Sequence, residues 1–279
     1  MKTLNTNTKT VQVLKDEILE KVFRKTENRK KIDFILKNTD VLINTIHKLS
    51  KINFLNPYHN FGHALGVAEY CIKLAIFANL RRNEINMLCI AALAHDSGHL
   101  GVKVDNEEKK SIKLALEKLD DVDIECTGLS FYYFKEIFKD EIKATKFSNR
   151  KKVNNVYLNI IQDADLAHIG QGVYYWAWAS MGLIEEFRKE PGHSKMSPVY
   201  FIKVLQNNFI EYLNETEPGI WVSDPAKKLF KNPLDDVTKF KNWSNLAIKW
   251  AYDNRKKDIT LAEFETLIQK FNLVSQRGH

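Results

Sequence analysis

Two histidines stand four residues apart in Asn56-Pro57-Tyr58-His59-Asn60-Phe61-Gly62-His63-Ala64, just ahead of an apolar-periodic run of Leu65, Val67, Ala68, Cys71, Ile72 and Ala75. In a helix that spacing stacks His59 and His63 on one face, one turn apart. A second cluster follows, Ala94-His95-Asp96-Ser97-Gly98-His99-Leu100-Gly101, and further on an acidic pair, Asp163-Ala164-Asp165. Neutral imidazole and carboxylate are good ligands for Zn²⁺, Mn²⁺ and Fe, whereas carboxylate and water suit Mg²⁺. The residue types therefore point to a metal centre.

Adjacent positions on a helix point about 100° apart, so His95 and Asp96 share an ion only at a helix end, where Asp96 can bridge two ions. The run Ile85, Met87, Leu88, Ile90, Ala91, Ala92, Leu93, Ala94 buries the helix leading to them. A buried Asp96 is expensive unless it is paired or metal-bound. Asp165 closes another apolar run, Val156, Leu158, Ile160 and Ile161, and meets the same constraint. Asp163 and Asp165 face different sides of a helix, so one ion takes only one of them, and spacing leaves open which. His99 follows Gly98; it either stands behind the ligands, touches phosphate or lies on the surface. His47, His168, His193 and His279 have no supporting pattern.

Helices must carry these groups. Apolar spacing predicts helical runs over Val11–Phe23, Ile32–Ile46, Ala64–Leu80, Glu84–His95, Lys109–Leu119, Phe131–Ile142 and Val156–Asp165. It predicts others over His168–Lys189, Val199–Leu213, Trp243–Asn254 and Leu261–Phe271, with 145–155 a connection and the Pro-, Asp- and Asn-rich 214–242 a loop region. Strict period-2 alternation is almost absent, so the expected fold is all-α: a compact multi-helix bundle forming one catalytic domain over residues 1–279, with helices of 1–50 packed on the core.

Bulk properties narrow the function. A chain of 279 residues with 44% hydrophobic content sustains a sizeable core. The net charge of +7 is spread among scattered lysines, which gives no nucleic-acid stripe. Cys71, Cys89 and Cys126 form no Cys-x-x-Cys pair, and Met1-Lys2-Thr3-Leu4-Asn5 lacks a signal-peptide apolar run, so the expected location is cytoplasmic. No stretch approaches the ~18 apolar residues that span a membrane. Walker loops, Gly-x-Ser-x-Gly elbows and Rossmann fingerprints are missing, which removes acyl and hydride transfer.

The separated His, His-Asp and Asp set resembles the HD superfamily of metal-dependent phosphohydrolases, and more closely the catalytic domain of class I cyclic nucleotide phosphodiesterases. Tyr58-His59-Asn60 through His63-Ala64 resembles that family's Tyr-His-Asn-x-x-His-Ala. His95-Asp96-Ser97-Gly98-His99-Leu100-Gly101 resembles its His-Asp-x-x-His-Pro-Gly, with Leu100 for proline. Ala164-Asp165-Leu166 resembles its Ala-Asp-Leu, and Glu185-Glu186-Phe187 its Glu-Glu-Phe, 185 − 165 = 20 residues later. Trp178 falls near the family's intervening tryptophan, and the resemblance runs from about residue 50 to 215.

The resemblance implies hydrolysis of a 3′,5′-cyclic nucleotide to the 5′-monophosphate by hydroxide activated between two divalent ions, Zn²⁺ with Mg²⁺ or Mn²⁺, or Fe. It implies His63, His95, Asp96 and Asp165 as ligands, so that it selects Asp165 over Asp163. It makes His59 the general acid, and sets His99 and Glu125 behind the ligands or at phosphate. The family's two histidines after that glutamate are here Thr127 and Gly128. Tyr58, Leu166, Leu183, Pro198 and Phe201 would line the nucleotide, with Phe201 stacking on the base opposite Leu183. Pro198 stands where the family has a purine-reading glutamine. Proline has no side-chain hydrogen bond to give, so base discrimination is expected to be poor. The expected partner is a small nucleotide, with no nucleic acid or membrane. Two other readings keep the scaffold: a phosphohydrolase of nucleoside mono- or triphosphates, and a non-catalytic nucleotide-binding module. The second predicts damaged ligand positions, whereas all four are intact.

Overall fold

The computed structural model describes residues 25–52, 56–99, 106–171, 220–230 and 234–256, with isolated positions elsewhere. The described residues are helical and include no strand. They fall into two compact units, one of Met1–Leu100 with Val104–Asp165, the other of Gly101–Lys103 with Leu166–His279.

The first unit contains α1 (Lys25–Asn38), α2 (Ile43–Ser50), α3 (Phe61–Phe77), α4 (Arg82–Ala94), α5 (Glu107–Leu116), α6 (Asp121–Glu125), α7 (Phe131–Thr145) and α8 (Val156–Asp165). Helix α4 lies at its centre, packed against α3, α7, α8, α2 and α5. Every residue from Ile85 to Ala94 is buried, as a helix apolar on nearly all sides requires, and the one polar residue there, Asn86, donates to the Cys126 carbonyl at 2.7 Å. Helix α3 turns Ala64, Leu65, Ala68, Cys71, Ile72 and Ala75 inward. Phe134 and Phe138 of α7 stack with ring centroids 5.2 Å apart and close the other side. No described helix is long and apolar enough to cross a membrane.

The run expected over Ile32–Ile46 is two helices. Thr39 interrupts it: its Oγ1 donates back to the Ile35 carbonyl at 2.8 Å, a local bond that competes with helix continuation. The Asp40 amide then donates to Asn86 Oδ1 at 2.9 Å, which ties the break to α4. The helix expected over Val11–Phe23 lies outside the described residues, apart from Val13.

In the second unit the region read as loop, 214–242, contains α9 (Asp224–Leu229) and the start of α10 (Leu234–Asp253). Its Ser, Asp and Pro residues are helix starters rather than breakers. Ser223 Oγ accepts from the Ala226 amide at 3.2 Å, and Pro225 occupies the first turn, where its missing N–H costs nothing. Trp221 and Phe230 pack 4.6 Å apart over Gly170, where an added Cβ would meet both rings at 2.7 Å.

Within the first unit, Glu141 of α7 is 1% exposed and its Oε2 has no hydrogen-bond partner. Burial, reinforced by Asp140, pushes its carboxyl up to about 8. The folded chain keeps a proton that the unfolded chain releases above its ordinary value of 4.5. Stability is therefore full below pH 4.5 and declines as pH rises toward about 8, by at most about 1.4 kcal/mol per unit. Glu141→Gln is expected to flatten that decline. Thermal melts across this range should show a variant advantage that grows with pH and then levels off.

Candidate metal centre and active site

Three helix ends bring the chemistry together. Asn60 caps α3 in extended backbone, and its Oδ1 accepts from the amides of Gly62 at 2.8 Å and His63 at 3.2 Å. The cap fixes His63 in the first turn. Helix α4 ends at Ala94 without a glycine cap, and His95 and Asp96 lead the turn that follows. Asn155 starts α8 by accepting from the amides of Tyr157 and Leu158, and Asp165 is its last residue.

The four side chains converge. His63 Nε2 lies 3.1 Å from Asp165 Oδ1 and 3.5 Å from Asp96 Oδ2. His95 Nε2 lies 3.0 Å from Asp96 Oδ2 and 3.3 Å from Asp165 Oδ1. Ligand atoms of His63, His95 and Asp96 all fall within 4.8 Å of one another. The His95 side chain is 1% exposed and the carboxylates 16% and 20%.

His95 Nδ1 sits 2.8 Å from the Ala92 carbonyl. A proton on Nδ1 satisfies that contact and leaves Nε2 as a lone pair aimed at the carboxylates. Nε2 and Asp96 Oδ2 are both buried without a hydrogen-bond partner. Two imidazole nitrogens facing two carboxylate oxygens are a donor set for a divalent transition-metal cation, and the orphaned atoms fit that ligand. With no cation, burial opposes charge on His95, but Asp96 and Asp165 outweigh it and hold the imidazole well above its usual range. Burial likewise opposes charge on both carboxylates. His95 draws Asp96 far below the usual range, and the hydrogen bond from His63 together with the facing His95 imidazole does the same for Asp165.

His59 flanks this set. Its ring lies 6.0 Å from that of His63, stacks on His99 at 3.8 Å, and meets Tyr58 edge-on at 4.7 Å. Tyr58 is buried, with its ring also 4.7 Å from His63. His99 Nε2 lies 3.7 Å from Glu107 Oε2, and the His99 carbonyl accepts from Asn56 Nδ2 at 3.0 Å.

Residues 58–174, which carry this constellation, match the family model for 3′,5′-cyclic nucleotide phosphodiesterase. That segment, under half of the chain, is similar to the cyclic nucleotide phosphodiesterase catalytic domain. Its fold resembles the crystal structure of the phosphodiesterase domain of the Salpingoeca rosetta rhodopsin phosphodiesterase. The TM-score is 0.56, with 16% identity over 92% of each chain. A second structure, the phosphodiesterase domain of the RhoPDE fusion protein from the same choanoflagellate, matches with a TM-score of 0.53 and 16% identity over 98% of this chain and 95% of that one. No curated protein matches the chain in sequence.

The remaining residues assigned to the phosphodiesterase-like site are less gathered. Glu125 ends α6 with an exposed side chain. Thr127 and Gly128, where the family has histidines, close that helix. The Thr127 Oγ1 donates to the Ile124 carbonyl at 2.7 Å, and Gly128 takes φ +68°. Leu166 is half-buried and Leu183 is 37% exposed, both in the second unit. Pro198 and Phe201 lie outside the described residues.

The acidic pair divides as helix geometry requires. Asp165 faces the histidines, whereas Asp163 is fully buried and paired with Arg150, whose Nη1 also donates to the Gln162 carbonyl. The two substitutions are expected to separate. Asp165→Asn should leave the fold intact and lower Mn²⁺ affinity by more than the about 10–100-fold that an outer partner of a ligand contributes. Asp163→Asn breaks a buried pair and should destabilise by about 3–5 kcal/mol. Chelator competition and denaturant unfolding measure the two effects.

Proposed function

We propose that the chain hydrolyses a 3′,5′-cyclic nucleotide to the 5′-monophosphate at the His63, His95, Asp96 and Asp165 centre. The observation that carries this reading is the convergence of those four side chains, with His59 beside them, inside the segment that matches the phosphodiesterase family model. The four residues would hold the first of two divalent ions. The mixed imidazole and carboxylate set favours Zn²⁺, Mn²⁺ or Fe there, with Mg²⁺ or Mn²⁺ as the second ion. Bound ions lower the pKa of water and neutralise charge on phosphoryl oxygens.

The chain's own residues supply the rest. Water adds its oxygen to phosphorus, the P–O3′ bond breaks, and O3′ leaves with a proton. His59 is the donor of that proton. The stack with His99 and the edge contact with Tyr58 hold its ring in one orientation, and its charge acts on Asp96. Asn60 keeps His63 and His59 in fixed relation by capping α3 between them. Pro198 in place of a base-reading glutamine leaves discrimination among bases shallow.

Purified chain with Mn²⁺ is expected to convert cyclic AMP, cyclic GMP and cyclic CMP to 5′-monophosphates at rates that differ little. Phosphate release from AMP, or triphosphate release from dNTPs, with cyclic substrates untouched, would overturn the substrate assignment. His59→Ala is expected to keep its metal and lose about 10²–10⁴-fold in turnover, the scale of general-acid catalysis. Loss of metal in that variant would make His59 a ligand instead.

A further inference from the structure

Within itself, the turn that presents His95 and Asp96 is closed by short-range backbone bonds. The Ser97 amide donates to the Ala94 carbonyl and the His99 amide to the Asp96 carbonyl, both at 3.0 Å. Ser97 is buried, but its hydroxyl has no hydrogen-bond partner and does not lock the turn. Two adjacent ligands on such a turn hold a productive angle only if something outside fixes the backbone.

Helix α5 supplies that fixture. The Gly98 amide donates to Ser111 Oγ at 2.7 Å, a fully buried bond across 13 residues of sequence. Ser111 is 1% exposed. The backbones themselves touch at this point. A Cβ on Gly98 would lie 2.5 Å from the Ser111 nitrogen, 2.6 Å from the Glu107 carbonyl oxygen and 2.9 Å from Lys110 Cβ. Glycine is required here because α5 sits directly on the turn, and Ser111 is the side chain that bonds across the contact. On the opposite flank Asn56, 8% exposed, donates from Nδ2 to the His99 carbonyl, while its own carbonyl accepts from Asn60 Nδ2 at 2.9 Å. Asn60 in turn caps the helix that carries His63. The His95–Asp96 turn is thus bonded to α5 through Ser111 and to the His63 helix through Asn56.

We infer that Ser111 is a positioning residue for the metal centre: through Gly98 it sets the backbone angle at which His95 and Asp96 meet a cation. The inference rests on the metal reading given above. Ser111 acts through the Gly98 backbone, so its effect is expected in metal affinity rather than in turnover at saturating metal.

The test is Mn²⁺ binding by the full chain, measured by equilibrium dialysis. It compares wild type, Ser111→Ala and a control, Thr45→Ala. Thr45 is equally buried, and its hydroxyl bonds Asp123 Oδ1 at 2.6 Å, pinning α2 to α6 instead. Ser111→Ala is expected to bind Mn²⁺ about 10–100-fold more weakly and to recover turnover at saturating Mn²⁺, with Thr45→Ala near wild type. If Ser111→Ala does not fold, Asn56→Ala reads the same clamp from its other flank and is expected to weaken Mn²⁺ in the same way. Unchanged affinity in the folded variant, or equal weakening in Thr45→Ala, overturns the positioning role while the metal centre stands. A wild-type chain that binds no Mn²⁺ overturns the metal reading, and the positioning role falls with it.

Discussion

Two carboxylates, Asp96 and Asp165, are held against each other's histidines with side chains no more than 20% exposed, and their charge has to be balanced. The effective penalty for removing each such ion from water is several kcal/mol. A proton on His95 balances it in part, and a divalent cation would do so using lone pairs already aimed inward. The surrounding unit is arranged to maintain this opposition. A capped helix start delivers His63, an uncapped helix end delivers His95 and Asp96, and a second helix end delivers Asp165. Helix α4, buried from Ile85 and apolar from Met87 to Ala94, makes the arrangement rigid, since a close-packed helix has no alternative position for its last turn.

The same unit buries acids in three different ways, and the contrast separates function from structure. Asp163 is fully buried and paired with Arg150, a self-sufficient ion pair that needs no ligand. Glu141 is buried without a hydrogen-bond partner on Oε2 and keeps its proton near neutral pH. Asp96 and Asp165 are instead drawn far down by facing imidazoles, and Asp96 retains an orphaned oxygen. Only this third arrangement combines charge, open lone pairs and convergence from separate helices, which is what a metal requires.

Much of this was legible in the amino-acid sequence because it is periodic or local. The apolar run before Asp165 gave α8 its observed limits, and the nearly continuous apolar stretch over Ile85–Ala94 marked the central helix. The candidate ligands His63, His95, Asp96 and Asp165 stood out by type and spacing. What escaped was set by tertiary contact or by short polar caps. Periodicity separated Asp163 from Asp165 without saying which side held Arg150, a residue 13 positions earlier. Thr39 and Ser223 are short polar residues whose one bond ends or starts a helix, so the first was read through and the second taken for loop. Ser111 carries no signal of its own; only its contact with Gly98 reveals it.

The central claim is that His63, His95, Asp96 and Asp165 are one metal centre, and diffraction from crystals loaded with Mn²⁺ tests it most directly. An anomalous difference map collected near the manganese edge should show a peak bounded by His63 Nε2, His95 Nε2, Asp96 and Asp165. A map with no peak there, or with its strongest peak among other side chains, would contradict the account.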